Sequence, residues 1–149
     1  MPTNPIPAGY HSVTPTFCVE DAPAFIEFLI DVFGASERMR FDSPDGRVMH
    51  AEMKIGDSVV MLGSSMENWP ARTGSAYVYI DNVDAAYQRA LKAGATSVKE
   101  PQNQFYGDRS AAVKDKFGNL WGIATHVEDV GPDELQRRTE EFLRKSSAG

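Results

Sequence analysis

Two ionisable residues, His50 and Glu52, stand two positions apart in a stretch with a strand pattern (VMHAEMKI, residues 48–55). Alternate residues of a strand point to the same side, and side chains two positions apart lie about 7 Å from one another, so both can act on one ligand. An imidazole can serve as a general base or a hydrogen-bonding anchor, and a neighbouring carboxylate can orient it or bind a cationic group. His50 and Glu52 are therefore the candidate catalytic and ligand-contacting pair. The alternatives are a solvent-exposed pair at the rim, or a Glu52 side chain paired with Arg38, Arg40 or Arg109.

A wider set of aromatic, polar and thioether side chains completes the predicted ligand-binding surface. Trp69 lies in a polar connector and is a candidate aromatic wall, or alternatively a dimer contact. Arg109 follows a glycine-containing loop, where it can clamp a carboxylate or phosphate, or simply fix the loop together with Asp108. Strand alternation places Tyr77 and Tyr79 on one face. The predicted ligand-binding residues are His50, Glu52, Met61, Trp69, Tyr77, Tyr79, Tyr106 and Arg109.

Other conspicuous residues are better explained by packing. Cys18 is the single cysteine, which excludes an internal disulfide and a cysteine zinc cluster, and it is interpreted as a small core residue rather than a reactive thiol. Trp121 is predicted to pack in the core rather than to form a ligand platform. His11 and His126 flank strands, where edge or interface roles are commoner than catalysis.

The elements that must position these residues occur twice. A helical pattern begins at Asp21 and stops at Gly34, and a second begins at Asp81 and stops at Gly94, so the copies are 60 residues apart (81 − 21 and 94 − 34). Asp21, and either Asp81 or Asn82, are helix-capping types, and glycine suits the left-handed position after a helix. The pattern predicts a duplicated unit.

Each unit is predicted to be βαβββ, which makes an α+β fold with a curled mixed sheet that forms a cup. The predicted strands are residues 13–19, 37–41, 48–55 and 58–62, then 76–80, 96–99, 110–114 and 120–126, with a loop over 101–108. The predicted organisation is a tail (1–9), a first module (10–63), a linker (64–74), a second module (75–130) and a C-terminal helix with its tail (131–149). Within that helix, Leu135, Phe142 and Leu143 are spaced to dock on the body or on a second subunit.

Composition limits the partners. The chain has 149 residues, 42% hydrophobic and 24% charged, which is ordinary for one folded domain. Its net charge of −6 and lack of basic clusters argue against nucleic acid and anionic membranes. No stretch has the length of a membrane span, and the proline-containing start is not of signal-peptide type, so a cytoplasmic location is expected.

Several segments carry a family resemblance. They are VED at residues 19–21, FGA at 33–35, IDNV at 80–83 and DKFGNLW at 115–121, the last similar to a D-P-x-G-x-x-W turn with Lys116 where proline is usual. With YGDR at 106–109 and ATHVED at 124–129, the chain resembles the vicinal-oxygen-chelate superfamily of glyoxalases, bleomycin-resistance proteins and dioxygenases, in a largely uncharacterised glyoxalase-like branch. The resemblance covers about residues 10 to 130 and implies the fold more strongly than a reaction.

The resemblance also implies four positions that in metal-dependent members hold a divalent ion with His, Glu or Gln. Here those positions fall on Thr14, Met61, Ser75 and Gly122, none a good ligand, so no metal or other cofactor is expected there. Two main functions follow: metal-free sequestration of a small molecule or drug, as in bleomycin-resistance proteins, or a glyoxalase-like lyase, isomerase or transferase that uses His50 and Glu52, alone or with a non-standard metal. A protein–protein role without a small ligand is the remaining alternative. Whether the protein is an enzyme stays open, with the binding protein favoured. The family also implies a homodimer.

Overall fold

The computed structural model describes residues 1–148 and contains two four-stranded mixed sheets, three helices and no closed barrel within that range. The predicted α+β fold of tandem βαβββ modules with a C-terminal helix is confirmed. Gly149, the last residue of the predicted tail, lies outside the described residues.

The two modules repeat one strand order. The first comprises β1 (Thr16–Val19), α1 (Ala22–Phe33), β2 (Ser36–Asp42), β3 (Val48–Ile55) and β4 (Ser58–Ser64), arranged β1-β4-β3-β2. The second comprises β5 (Ser75–Tyr79), α2 (Val83–Lys92), β6 (Thr96–Asn103), β7 (Asp108–Lys114) and β8 (Leu120–His126), arranged β5-β8-β7-β6. In each sheet the first strand runs parallel to the fourth and the other pairs are antiparallel.

The helix boundaries follow from local chemistry. The Asp21 carboxylate accepts a hydrogen bond from the Ala24 N–H at 3.1 Å and caps α1, which ends at Gly34 with φ 65°. For α2 the cap is Asn82 rather than Asp81, because its side-chain oxygen accepts from the Ala85 N–H at 3.1 Å.

The helices cover one face of the sheets and enclose an aromatic core. Trp121 is fully buried, as predicted, and its ring stacks on Phe17 with 5.2 Å between centroids. The indole Nε1–H donates to Asp115 at 2.8 Å, so the one polar atom of this side chain is satisfied inside the core. The face of each sheet away from the helices is therefore the one on which ligand chemistry can occur.

The structure differs from the predicted strands most clearly in the first strand, in the loop over 101–108 and within β3. The first strand begins at Thr16 instead of residue 13, since Pro15 has no N–H to donate to a ladder and Val13 is exposed. Half of the predicted loop over 101–108 is strand, because β6 continues to Asn103 and β7 begins at Asp108. Strand alternation with Ala51 and Met53 predicts that Met49 faces the helices. Instead, a register shift in β3 opposite Phe41 and Asp42 brings Val48 into the core and leaves Met49 48% exposed.

The C-terminal helix α3 (Pro132–Ser147) docks on the body through one of its predicted apolar residues. The ring of Phe142 stacks on Phe105 with 4.8 Å between centroids, whereas Leu143 is 58% exposed. Arg138 donates to both carboxylate oxygens of Glu128 at 2.9 and 2.7 Å. These contacts fix α3 against the loop that precedes β7 and against the segment that follows β8.

None of the helices in residues 1–148 is long and apolar enough to cross a lipid bilayer.

Candidate functional site

The first polar cluster lies on the sheet of the first module and is called here the Glu52 cluster: Tyr10, His50 and Glu52. The His50 Nε2 lies 2.8 Å from one oxygen of Glu52, and the Tyr10 hydroxyl donates to the other. Glu52 is only 4% exposed although it faces away from the helices. The predicted His50 and Glu52 pair is therefore a direct contact, and Tyr10 is its third member.

The charge of Glu52 is retained by its hydrogen bonds. Burial alone would raise the pKa of this carboxyl group, but the hydrogen bonds from His50 and Tyr10 outweigh burial, and the pKa lies below its ordinary value. Because a carboxylate only accepts, the His50 Nε2 carries the proton in this contact, and in the neutral ring Nδ1 is then the acceptor.

His50 borders a cleft of about 540 Å³ between β1, β3, β4 and the linker between the modules. Trp69 lines the same space with its indole 55% exposed, and the Arg72 guanidinium lies 5.0 Å from the indole centroid. Cys18 is half-buried in the cleft wall rather than in the core, and its Sγ lies 3.6 Å from the Trp69 carbonyl oxygen. We call this space the Trp69 cleft.

A second cleft lies under residues 5–12, which cross the sheet near Glu52 and Met61. Arg38 fixes this segment, since its guanidinium stacks over Tyr10 at 4.5 Å and donates to the Ala8 carbonyl at 3.2 Å. The segment carries Tyr10 to Glu52 and covers that carboxylate from outside the sheet.

The second polar cluster lies on the sheet of the second module and is called here the Asp108 cluster. The hydroxyls of Tyr77 and Tyr79 both donate to Asp108 Oδ2 at 2.9 Å. The His126 Nδ1 lies 2.9 Å from Asp108 Oδ1, and its Nε2 lies 2.7 Å from Asp129 Oδ1. Asp108, 4% exposed, thus collects three donors on its two oxygens.

Hydrogen bonding sets the protonation states in this cluster. Burial would raise the pKa of Asp108, but the bonds from His126, Tyr77 and Tyr79 bring it below its ordinary value. The same contacts raise the pKa of His126, through Asp108 first and Asp129 second. The pKa of Tyr77 is raised by burial and by Asp108, and that of Tyr79 by its bond to Asp108, so both phenols stay neutral.

The predicted ligand-binding residues therefore separate into three places. His50 and Trp69 line the Trp69 cleft, whereas Glu52 and Met61 line the cleft under the N-terminal segment. Tyr77 and Tyr79 lie in the Asp108 cluster, with Tyr106 close enough to contribute to the raised pKa of Tyr77.

Arg109 belongs to none of these places. It forms a two-point ion pair with Asp84 of α2, at 2.7 and 2.8 Å. Arg40 pairs with Asp42 at 2.9 Å, so neither arginine is the partner of Glu52. Arg38 is near enough to lower the pKa of Glu52, but its guanidinium donates its hydrogen bonds to backbone carbonyls of the N-terminal segment.

Sequence reasoning missed the importance of Asp108, Tyr10 and Asp129. For Asp108 a signal was present: β7 pairs Ala112 with Gly122 and Asp108 with His126, so Asp108 shares the face that alternation along β8 gives to Gly122 and His126. Placing Asp108 in a loop hid this alternation. Tyr10 reaches Glu52 from outside the sheets, and the periodicity of strands and helices does not predict that contact.

The four positions that hold metal ligands in metal-dependent relatives do not suit a divalent ion in this chain. Thr14 and Ser75 offer only neutral hydroxyls, Met61 a thioether, and Gly122 no side chain at all. A Cβ atom added at Gly122 would lie 2.5 Å from Cδ2 of Tyr77, so the tyrosine ring fills the space over that corner. In residues 1–148, no group of three or more His, Cys, Asp or Glu side chains is placed to hold a metal.

Solved structures with the same architecture include TioX from Micromonospora sp. ML1, with a TM-score of 0.64, 24% identity, and coverage of 78% of this chain and 100% of that one. The fosfomycin resistance protein FosX from Mesorhizobium loti matches with a TM-score of 0.57, 21% identity, and coverage of 77% and 91%. At these identities the likeness shows the fold alone.

Two further similarities are found in the amino-acid sequence. An uncharacterized protein of Mycobacterium tuberculosis is 36% identical over 138 residues, which span 84% of this chain and 80% of that protein. The model of the Glyoxalase/Bleomycin resistance protein/Dioxygenase superfamily matches residues 11–123. The duplicated βαβββ modules and these matches show that the chain belongs to the glyoxalase/bleomycin resistance protein/dioxygenase superfamily.

Proposed function

We propose that this protein binds and sequesters a small organic molecule in the Trp69 cleft, without a divalent metal at the family's four ligating positions. The observation that carries the proposal is the cleft itself: about 540 Å³, lined by an exposed indole and by an imidazole anchored on a buried carboxylate. Ligand pockets for drug-sized molecules are typically about 300–1,000 Å³.

The lining suits a flat, largely apolar molecule with a few polar groups. Trp69 and Met66 supply aromatic and thioether surface, and both are more than one third exposed without a ligand. His50 and Arg72 supply polar contacts at the same wall. Because Glu52 fixes the His50 ring, a ligand finds that contact already oriented, which lowers the entropic cost of binding.

The proposal extends to assembly and location. Exposed aromatic and thioether side chains on the faces away from the helices, among them Phe41 and Tyr79, favour a homodimer that covers part of this surface. The single cysteine and the acidic net charge of −6 suit the cytoplasm. Bleomycin resistance gives the closest functional analogy, since binding alone suffices there.

The absence of a metal requirement has a direct test. Elemental analysis of purified protein should give less than stoichiometric metal, and Ni²⁺, Zn²⁺, Mn²⁺ and Fe²⁺ should not raise the melting temperature. One tightly bound ion per chain, or clear stabilisation by one of these ions, would overturn this part of the proposal.

The binding site is tested by a thermal-shift screen against glycopeptide and planar aromatic antibiotics, followed by calorimetry on any hit. Trp69→Ala should weaken binding at least tenfold, since an aromatic anchor in a binding cleft typically contributes more than about 1.4 kcal/mol. Val98→Ala, an equally exposed apolar residue on β6, is the control and should bind like the wild type. Equal affinity of the wild type and Trp69→Ala would place the site elsewhere.

A second candidate, a lyase, isomerase or transferase, is favoured by one observation: the 2.8 Å contact between His50 and Glu52. A carboxylate on Nε2 orients the ring and leaves Nδ1 to accept a proton from a substrate. Product that accumulates beyond one equivalent per chain, and that is lost in His50→Ala and Glu52→Ala, would replace the binding role with this one.

A further inference from the structure

The Asp108 cluster offers a second surface with a chemistry of its own, independent of the Trp69 cleft. The rings of Tyr77 and Tyr79 are 47% and 62% exposed and meet edge to face, with 5.3 Å between their centroids. Their hydroxyls are held in place by a carboxylate that is itself almost fully buried. The carboxylate that fixes these two exposed phenols is a buried charge, and burying a charge costs free energy.

The directions of the hydrogen bonds decide what this surface can bind. Each phenol has one O–H, and both protons are spent on Asp108 Oδ2. The outer side of each tyrosyl oxygen therefore presents lone pairs only. His126 has both nitrogens against carboxylates, at 2.9 and 2.7 Å, so it has no proton left to donate. Tyr77, Tyr79 and His126 therefore accept hydrogen bonds and do not offer them, whereas the neighbouring Tyr106 hydroxyl beside Tyr77 can donate as well as accept.

The net charge of the Asp108 cluster also favours the binding of a cation. His126 lies between Asp108 and Asp129, so a protonated ring leaves one negative charge in the group and a neutral ring leaves two. Arg109 follows Asp108 in β7, so it points to the opposite face, where it pairs with Asp84. Arg138 is paired with Glu128 and Glu134. A cation that arrives at the tyrosine pair meets no competing free cation from these three residues, and aromatic rings attract cations through their faces.

We propose that Tyr77, Tyr79 and the buried Asp108 form a binding site for a primary or secondary ammonium group. The ammonium N–H groups donate to the two tyrosyl oxygens, and the negative charge behind those oxygens stabilises the cation. Carboxylates and phosphates are rejected because two lone-pair surfaces would face each other. This site goes beyond the proposed role of the Trp69 cleft and does not depend on it.

The test compares three probes that share a phenyl ring: 2-phenylethylamine, 3-phenylpropanoate and benzyltrimethylammonium. Binding is followed by chemical-shift titration of the full chain carrying ¹³C-labelled tyrosine rings. The amine should bind at least tenfold more tightly than the acid, with shifts at Tyr77 and Tyr79. The quaternary cation, which has no N–H, should fall between them, because it keeps the attraction to the rings but loses both hydrogen bonds.

Variants then distinguish the contribution of the tyrosine hydroxyls to binding from that of the rings. Tyr77→Phe and Tyr79→Phe each keep the ring and should weaken amine binding about fivefold, the usual effect of one lost hydrogen bond. Tyr87→Phe is the matched control, because its hydroxyl bonds to Ser97 inside the body, 2.7 Å away. Trp69→Ala should leave amine binding unchanged, so failure here and failure of the Trp69 cleft are distinguishable.

Each contrary outcome overturns the proposal. These outcomes are no binding by any of the three probes, equal or tighter binding of the acid, or an amine affinity that both phenylalanine variants retain. A change of oligomeric state in those variants, seen by light scattering, would show instead that the tyrosine pair is an interface between two copies of the chain.

Discussion

Each module buries one carboxylate on the face of its sheet away from the helices, but the two carboxylates are held differently. Glu52 binds a histidine on its own strand and a tyrosine from the segment that precedes β1. Asp108 binds side chains of two other strands, Tyr77 and Tyr79 of β5 and His126 of β8. The register pairs Asp108 directly with His126 across the ladder. One cluster is closed from outside the sheet and the other is built into it.

The two clusters are not copies of one ancestral site. With the offset of 60 between modules, Glu52 corresponds to Ala112 and Asp108 to Val48, which is a fully buried core residue. The duplicated fold thus supplied two similar surfaces, and each module placed its carboxylate at a different strand position. Because Tyr10 belongs to a segment outside the sheet, the Glu52 cluster can open by moving that segment, whereas the Asp108 cluster opens only if strands move.

The largest expected difference between the clusters is in stability. Asp108→Asn keeps the size of the side chain but turns a donor toward the hydroxyls of β5 or toward His126, and should lower the free energy of unfolding by about 2 kcal/mol. Glu52→Gln should cost about 1 kcal/mol, since Tyr10 can turn to water. Urea denaturation measures both. A larger loss in Glu52→Gln than in Asp108→Asn would reverse the comparison.

A second difference lies in side-chain volume at matching positions of the two sheets. Met61 pairs with Thr16 in the first sheet, and Gly122 pairs with Tyr77 in the second. Gly122→Ala should therefore displace the Tyr77 ring and cost about 1 kcal/mol, because its Cβ would lie 2.5 Å from that ring.

A double-mutant cycle checks this explanation. In a Tyr77→Ala background, Gly122→Ala should have almost no effect, since the ring that it displaces is gone. Met61→Ala in the first sheet is the control and should not couple with Tyr77→Ala. Additive costs for Gly122→Ala and Tyr77→Ala would show that the glycine is required for another reason.

The comparison also shows which parts of the molecule sequence reasoning reaches. The helices, the βαβββ order and the bounds of β3 and β8 follow from capping residues, glycines and alternation, which are local. The contact between His50 and Glu52 follows from the same alternation. These features need only the period of a strand and the chemistry of a few neighbouring residues.

The rest depends on contacts between distant segments. Tyr10 meets Glu52 across 42 positions, and Tyr77 meets Asp108 across 31. The bulge that exposes Met49 arises from pairing with β2, and it reverses the alternation on which the sequence argument relied. The pairing of Arg109 with Asp84 likewise depends on how α2 lies on β7, which spacing alone does not specify.

A smaller effect, on amide hydrogen exchange, is expected from removing one tyrosine hydroxyl in each cluster. Tyr10→Phe should speed amide hydrogen exchange in residues 5–12 by about fivefold, since the anchor to Glu52 is lost while Arg38 still holds the backbone. Tyr79→Phe should leave exchange in β5 unchanged, because the ladder with β8 holds that strand. Slow exchange of residues 5–12 in Tyr10→Phe would show that Arg38 alone fixes the segment.

The smallest effect is a shift in the titration of His126, the residue that links Asp108 to Asp129. Its pKa is raised in the folded protein, so the pairing stabilises the fold below the unfolded histidine pKa of about 6.5 and is lost as the pH rises through the higher folded value. Asp129→Asn should lower the His126 midpoint measured by NMR. It should also lower the melting temperature more below the His126 midpoint than above it, because the pairing with Asp129 needs the protonated ring. Asp57→Asn, an equal charge change in the turn before β4, is the control. If both variants shift His126 alike, the net charge of the chain raises its pKa, and the contact with Asp129 does not.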